Sequence, residues 1–439
     1  MGKNKREIES ILKKGARFIC KNSNIIDGVE KTVLYNDEPK IFSYTSYYKD
    51  KFTETHTEDS VASGVAFNKT RALLKLIGET IERYALTINN NKNLLFDSFN
   101  NLNNSQKNIL NPAEILPFSQ KQIKAHNINI SLLKSTKIHW ILGKSLTANH
   151  EVLIPAQLIF VPYIYQKSEP LIMWPISTGA ASGKSLDEAL YKGICEIVER
   201  DSFMIHYLNK INSSQINISS IKNREINKIL EILSRYKIEL SLINLTTDIG
   251  IPSIGAVLLD KTGLGPAVCV GLKAGWDIND VIIGAIEEAV MLRTWIRDKF
   301  IYLEPDFKRE KIMQTINDRA HFWFPIKAIS YLDFWLNNKN KTGIKEITTK
   351  INVFYLQKAV SVLKEKKIDI YYVNLTDKLF KKTGFTIVKV IIPELQPLYL
   401  SEDYRYFGKR RLYQAPVNME VLQKPKTELE LNKIPHPFL

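Results

Sequence analysis

Apolar residues recur along this chain at two spacings. Between residues 70 and 87, Leu73, Leu74, Ile77, Ile81, Tyr84 and Ala85 fall on one side of a 3.6-residue wheel, which predicts an amphipathic helix. A second helix is predicted from Leu186 to Leu208, opened by Ser185 and Glu188 as an S-x-x-E capping box. REINKILEILSRY (224–236), NDVIIGAIEEAVMLRTWI (279–296) and FYLQKAVSVLKEK (354–366) carry the same period. Strand-like runs are ELSLINL (239–245), IPSIGAVLLD (251–260), PAVCVGLKAG (266–275), IDIYYVNL (368–375) and FTIVKVIIP (385–393). KIHWILGKSL and EVLIPAQLIFVPY flank the turn-like TANH and predict a hairpin. The Asn-rich stretch INNNKNLLFDSFNNLNNSQKN (88–108) reads as an irregular, solvated connection. Helices and strands interspersed throughout predict an α+β or mixed α/β fold.

The 439 residues are enough for two or three domains or one large elaborated domain. An apolar share of 44% and a charged share of 24% belong to an ordinary globular protein. No apolar run approaches the roughly 20 residues that cross a bilayer, and the basic start MGKNKREIESILKKG lacks a signal peptide's apolar stretch. No membrane association is expected. Cys20, Cys195 and Cys269 form neither a C-x-x-C pair nor a disulfide framework, so a reducing cytoplasm is the expected location. The net charge of +15 raises the question of nucleic acid. The lysines are spread along the chain, no zinc finger or RNA-recognition signature is present, and nucleic acid is set aside. The charge suits an acidic or phosphorylated ligand equally well.

The predicted helices hold the chemistry. Glu79 and Glu82 are followed by Arg83, and Glu196 and Glu199 by Arg200, so E-x-x-E-R occurs twice. Residues three apart on a helix lie roughly 60° apart around its axis, and each pair can present both carboxylates to one point. Glu287 or Glu288 of a third helix would add to them. Carboxylates that close repel unless cations sit among them. Mg²⁺ takes oxygen ligands and bridges carboxylates to phosphates, and Arg83 and Arg200 could contact phosphate oxygens or hold the carboxylates. A single such motif would equally suit a solvated helix face with weak ion pairs.

STGAASGKS (177–185) resembles a Walker A loop but has three residues, not four, between Gly179 and Gly183, so a P-loop is rejected. A small-residue loop before a capped helix can still approach a phosphate, which leaves Ser182 and Lys184 as candidate nucleotide contacts. No G-x-S-x-G, H-E-x-x-H or G-x-G-x-x-G is present, and His206 is expected to pack rather than to catalyse.

These residues resemble a known family. SGVAFNKTRALLKLIGETIERYAL (63–86) and STGAASGKSLDEALYKGICEIVERDS (177–202) are similar to two signature segments of the YcaO-domain family, and VCVGLKAGWDINDVIIGAIEEAVMLR (268–293) to a third. VKVIIPELQPL resembles the strand and loop near the family's C-terminus. The 137–163 hairpin and the ending IPHPFL are similar to its streptolysin-type, azoline-forming branch. The resemblance implies a YcaO-type fold, with sheets and acidic helices surrounding a central nucleotide site. It implies an N-terminal extension (1–60), a catalytic domain (61–430) and a Pro-containing tail (431–439) that reaches the active site. The activity implied is an ATP- and Mg²⁺-dependent cyclodehydration of Cys, Ser or Thr residues in a ribosomally made precursor peptide.

Carried over position by position, Glu79, Glu82, Glu196, Glu199 and Glu288 would bind metal and nucleotide. Lys75, Arg83, Ser182, Lys184, Arg200 and Arg411 would bind or support the nucleotide, and the terminal carboxylate of Leu439 would be the general base. Departures from the family pattern are Lys75 for a usual Ser, Gly284 for Arg and Met291 for Gln. Pro435 and Pro437 fit the tail, but Phe438 or Leu439 stands where a further proline is expected. The implied partners are the precursor peptide, a separate ubiquitin-activating-like protein that captures the leader peptide, a flavin dehydrogenase and a second copy of the chain. Thioamide formation and an inactive peptide-docking scaffold are the rival readings.

Overall fold

The computed structural model describes residues 9–17, 26–48, 60–87, 94–166, 168–300, 315–348 and 353–439. Cys20, the basic start up to residue 8 and the Asn-rich residues 88–93 lie outside them. The chain divides into two compact units. The first holds Ile41–Ile197 and Phe354–Glu394 with residues up to Thr32; the second holds Val33–Lys40, Val198–Val353 and Leu395–Leu439.

Among the described residues, the first unit has two sheets and the second has one. β1 (Ile26–Lys31), β2 (Phe42–Tyr48) and β3 (Val61–Ala66) form an antiparallel sheet with β3 at one edge. The other runs in the order β4 (Leu95–Ser98), β5 (Lys137–Ser145), β13 (Tyr371–Asn374), β14 (Thr386–Ile391) and β7 (Ala180–Gly183), with β6 (Glu151–Pro155) also paired to β5. The predicted hairpin is the β5–β6 pair, although Ala156–Leu158 turns into a short 3₁₀ helix. Helix α1 (Lys69–Thr87) packs on β3, with Ala72, Leu76, Ile77, Ile81, Tyr84 and Ala85 buried.

The second unit has one sheet, in the order β11 (Val268–Ala274), β10 (Ser253–Asp260), β9 (Ile238–Asn244), β8 (Gln215–Ile216) and β12 (Lys341–Thr342). Helix α3 (Ile278–Phe300) lies along β10 and β11. The two meet closely: a Cβ on Gly271 would stand 2.1 Å from the carbonyl oxygen of Ala285, a place only glycine can fill. Helix α2 (Leu186–Leu208) begins in the first unit and ends in the second.

Two expectations fail. Part of the Asn-rich connection is ordered: Leu95–Ser98 pairs with Lys137–Trp140, and a helix follows at Phe99–Asn104. Its described asparagines are exposed as expected, but some polar residues also make local bonds at the helix start. Ser98 Oγ accepts from the Asn101 N–H at 3.2 Å, and Asn101 Nδ2 donates to Asp97 at 2.9 Å. The Gly-rich 180–183 segment is a buried strand paired with β14, not a loop.

The segment 33–40 joins the second unit through a buried ion cluster that sequence periodicity does not reveal. Glu38, wholly buried, accepts from Arg293 at 3.2 Å and Arg297 at 2.6 Å; Arg293 also pairs with Asp260 at 2.8 Å, and Arg297 with Asp37 at 2.6 Å. Removing one partner strands buried charge. We expect Glu38→Ala to cost about 3–5 kcal/mol, read by urea denaturation; a loss below about 1 kcal/mol would mean the cluster holds nothing together.

Candidate active site

Each of the three acidic helices follows an edge strand, and the strand edge fixes the carboxylates. An edge strand leaves a row of N–H groups without a ladder partner. In the first unit, the Ser182 N–H of β7 donates to Glu82 at 2.6 Å, and the Gly179 N–H, just before β7, donates to Glu196 at 3.1 Å. Glu79 is bonded by the backbone of Ser63 on β3. In the second unit, the Leu272 and Ala274 N–H groups of β11 donate to Glu288 at 2.5 Å and to Glu199 at 3.1 Å. All five glutamates predicted as ligands are therefore held by sheet edges. Glu287, the alternative to Glu288, is instead wholly buried.

Helix spacing explains the grouping. Glu196 and Glu199 lie one turn apart on α2, so that helix carries a carboxylate of each unit's group. α2 lies close to the strand beside it because Gly193 has no side chain: a Cβ there would be 2.9 Å from the Gly179 carbonyl. The capping residues at its start are used, though not as a reciprocal box. Ser185 Oγ accepts from the Glu188 N–H, whereas the Glu188 carboxylate takes the Lys184 N–H.

The carboxylates are expensive to keep charged. Partial burial pushes Glu82 up to about 7, against the pull of Ser182, and Glu79 adds its repulsion. Burial, opposed by Arg83 and reinforced by Glu196, raises Glu79. Burial likewise raises Glu288, with Arg200 opposing and Glu199 adding to the rise. Added positive charge is what such a set favours.

The cations divide into two kinds. Arg83 and Arg200 sit beside the glutamates: Arg83 reaches Glu79 at 3.4 Å, and Arg200 lies 2.5 Å from Glu199 and 3.9 Å from Glu288. Lys75 donates to the Val65 carbonyl of β3 at 3.1 Å and adds to the positive field on Glu79. Arg411, in contrast, is taken up by carboxylates. It binds both oxygens of Asp201 at 2.9–3.1 Å and Asp248 at 2.8 Å, an arrangement that supports α2. Lys184 is exposed and serves the helix start, while Ser182 is buried and holds Glu82.

Lys389 went unpredicted. It lies buried on β14, donates to the carbonyls of Ile176 and Thr178 at 2.6 and 2.7 Å, and is lowered to about 7 by burial while Glu196 pulls it upward. It ties down the segment whose Gly179 N–H holds Glu196. A lysine inside the apolar run TIVKVII was the available signal.

The tail packs within the second unit. Tyr207 and Trp323 both donate to the Pro435 carbonyl, at 2.9 and 3.1 Å, and the Phe438 ring lies 4.1 Å from the Arg200 guanidinium. Leu439, half-buried, follows it. Among the described residues, both cysteines, Cys195 and Cys269, are buried, and burial pushes Cys269 up to about 12. His206 is buried against Ser213 at 2.6 Å and held neutral, its value lowered to about 4 by burial.

Among the described residues, no three His, Cys, Asp or Glu side chains close around one point as a structural metal cage would. The all-oxygen donor set fits Mg²⁺, which keeps water and takes one or two carboxylates together with phosphates. Residues 63–396 match the family described as YcaO cyclodehydratase, ATP- and Mg²⁺-binding. The chain belongs to the YcaO family. ATP and Mg²⁺ are its cofactors.

Solved structures that this chain resembles in fold include the following three. A heterocyclase in complex with substrate and cofactor gives a TM-score of 0.80 at 20% identity, over 98% of this chain and 57% of that one. YcaO from Methanopyrus kandleri, bound with AMPPCP and Mg²⁺, gives 0.63 at 15% identity, over 88% and 91%. The E. coli microcin synthetase McbBCD complex gives 0.57 at 15%, over 84% and 88%. At these identities the likeness is one of fold, and this YcaO chain spans little more than half of the heterocyclase. No helix among the described residues is long and apolar enough to cross a membrane.

Glu199→Gln keeps the side chain's shape and removes one charge, while Arg200 retains Glu288 and Phe438. We expect an unfolding midpoint close to wild type and at least a tenfold loss of Mg²⁺-dependent ATP affinity, about 1.4 kcal/mol, by calorimetry. Unchanged affinity would remove Glu199 from the site.

Proposed function

We propose that this YcaO protein is a cyclodehydratase that converts Cys, Ser or Thr residues of a precursor peptide to thiazolines or oxazolines. The observation that carries the reading is the set of five glutamates, each held by a backbone N–H from a sheet edge. Phosphoryl transfer needs positioning and charge neutralisation more than a protein nucleophile, and this site offers the former.

Glu79, Glu82, Glu196, Glu199 and Glu288 would hold Mg²⁺ and, through it, the nucleotide. When bound, Mg·ATP supplies the phosphoryl group and the charge neutralisation for its transfer. The remaining chemistry belongs to the peptide. Its thiol or hydroxyl attacks the preceding amide carbon, and the carbonyl oxygen becomes an oxyanion that accepts the γ-phosphoryl group. The C–O bond then breaks, the amide nitrogen gives up its proton, and the C=N bond of the ring forms. ATP and peptide become ADP, phosphate and an azoline.

Arg200 and Arg83 would balance charge beside the carboxylates. The base role expected of Leu439 belongs to this proposal and is supported by the packing of the neighbouring Phe438 on Arg200. Ser182, Lys75 and Lys389 orient glutamates and their strands. We further propose a separate leader-binding, ubiquitin-activating-like protein and a flavin dehydrogenase as partners, supported by the occurrence of the same fold in the microcin synthetase complex. A second copy of the chain and a cytoplasmic location complete the proposal.

Mass spectrometry of precursor peptide incubated with ATP, Mg²⁺ and partner should show loss of one water per modified residue. Exchange of one oxygen for one sulfur would identify a thioamide-forming enzyme instead, and an unmodified peptide would favour a docking scaffold. Phe438→Ala removes a cation–π contact of about 0.5–2 kcal/mol and should lower turnover several-fold with ATP affinity nearly unchanged. Equal turnover would detach the tail from the reaction.

A further inference from the structure

The second unit holds a lysine that the reading so far leaves without a task. β11 presents the Leu272 and Ala274 N–H groups to Glu288 and Glu199, and Lys273 lies between them in the chain. Every other residue of β11 is buried; Lys273 alone is half-exposed. Its aliphatic stem crosses α3 at Gly284, where a Cβ would stand 3.1 Å from Cγ and 3.2 Å from Cδ of the lysine. Gly284 is one turn before Glu288 on the same helix face. The missing side chain lets the stem of Lys273 pack on α3 one turn before Glu288, and the lysine's positive charge favours the charged form of Glu288.

This group contains two carboxylates, and Arg200 is already committed to both of them and to the Phe438 ring. The geometry points to Lys273 as a nucleotide-binding residue, its ammonium contacting the phosphate chain of ATP beside Glu288. This rests on the Mg·ATP reading of the site and adds a cation to it. Were Lys273 only a local counter-ion for Glu288, its loss would change stability and leave nucleotide affinity alone.

Calorimetry of full-length protein with Mg·ATP separates these. Lys273→Met should weaken Mg·ATP binding about tenfold, and Lys273→Arg should recover part of it. Gly284→Ala keeps the charge but pushes on the stem, and should weaken binding several-fold; this variant also serves if Lys273→Met fails to fold. Wild-type affinity in both Lys273→Met and Gly284→Ala would overturn the proposal alone. Failure of the wild-type protein to bind Mg·ATP would overturn the underlying reading and this proposal with it.

Discussion

Backbone N–H groups at sheet edges holding glutamate carboxylates are the constraint on which this structure turns. An unpaired edge is normally a liability, open to association with another chain. Here β3, β7 and β11 each end a sheet, and residues on or next to them donate to carboxylates from the long helices. The exchange is mutual. The edge gains acceptors for buried donors, and each carboxylate gains an orientation that side-chain rotamers alone would not give it. Within each unit the anions can be kept close, Glu79 beside Glu82 and Glu196 in the first and Glu199 beside Glu288 in the second, because each carboxylate is positioned by a backbone N–H.

The rest of the architecture serves this arrangement. Gly193 and Gly271 remove the side chains that would hold helix and strand apart. Lys389 secures the turn before β7 from below, and Asp201 with Arg411 secures α2 just after Arg200. α2 itself supplies Glu196 to the first unit's group and Glu199 to the second's. The ion cluster at Glu38 is unrelated to this chemistry. It fastens an N-terminal segment to the second unit.

Much of this could be read from residue spacing. The helices at Lys69–Thr87, Leu186–Leu208 and Ile278–Phe300 follow from a 3.6-residue apolar period, and the paired glutamates from E-x-x-E. What partners those glutamates could not be read, because a backbone N–H has no letter in the sequence. For the same reason STGAASGKS suggested a phosphate loop: small residues serve a tight loop and a closely packed edge strand alike. The carboxylates that pair with Arg411, Asp201 and Asp248, are distant from it in sequence and could not be read from spacing. Gly284 read as a lost cation, whereas in space it makes room for the stem of Lys273. The Asn-rich stretch misled through composition, since its Leu95–Ser98 segment pairs as a strand and Ser98 caps a short helix that carries asparagines on exposed positions.

The central claim is that these clamped carboxylates bind nucleotide through a divalent ion. It is tested most directly by titrating Mn²⁺, a spectroscopic substitute for Mg²⁺, with and without ATP and following free Mn²⁺ by electron paramagnetic resonance. Metal and nucleotide that share one site must strengthen each other equally. The account predicts weak Mn²⁺ binding alone, much tighter binding with ATP, and the same gain in ATP affinity when Mn²⁺ is added. Equal ATP affinity in EDTA and in Mn²⁺ would contradict it.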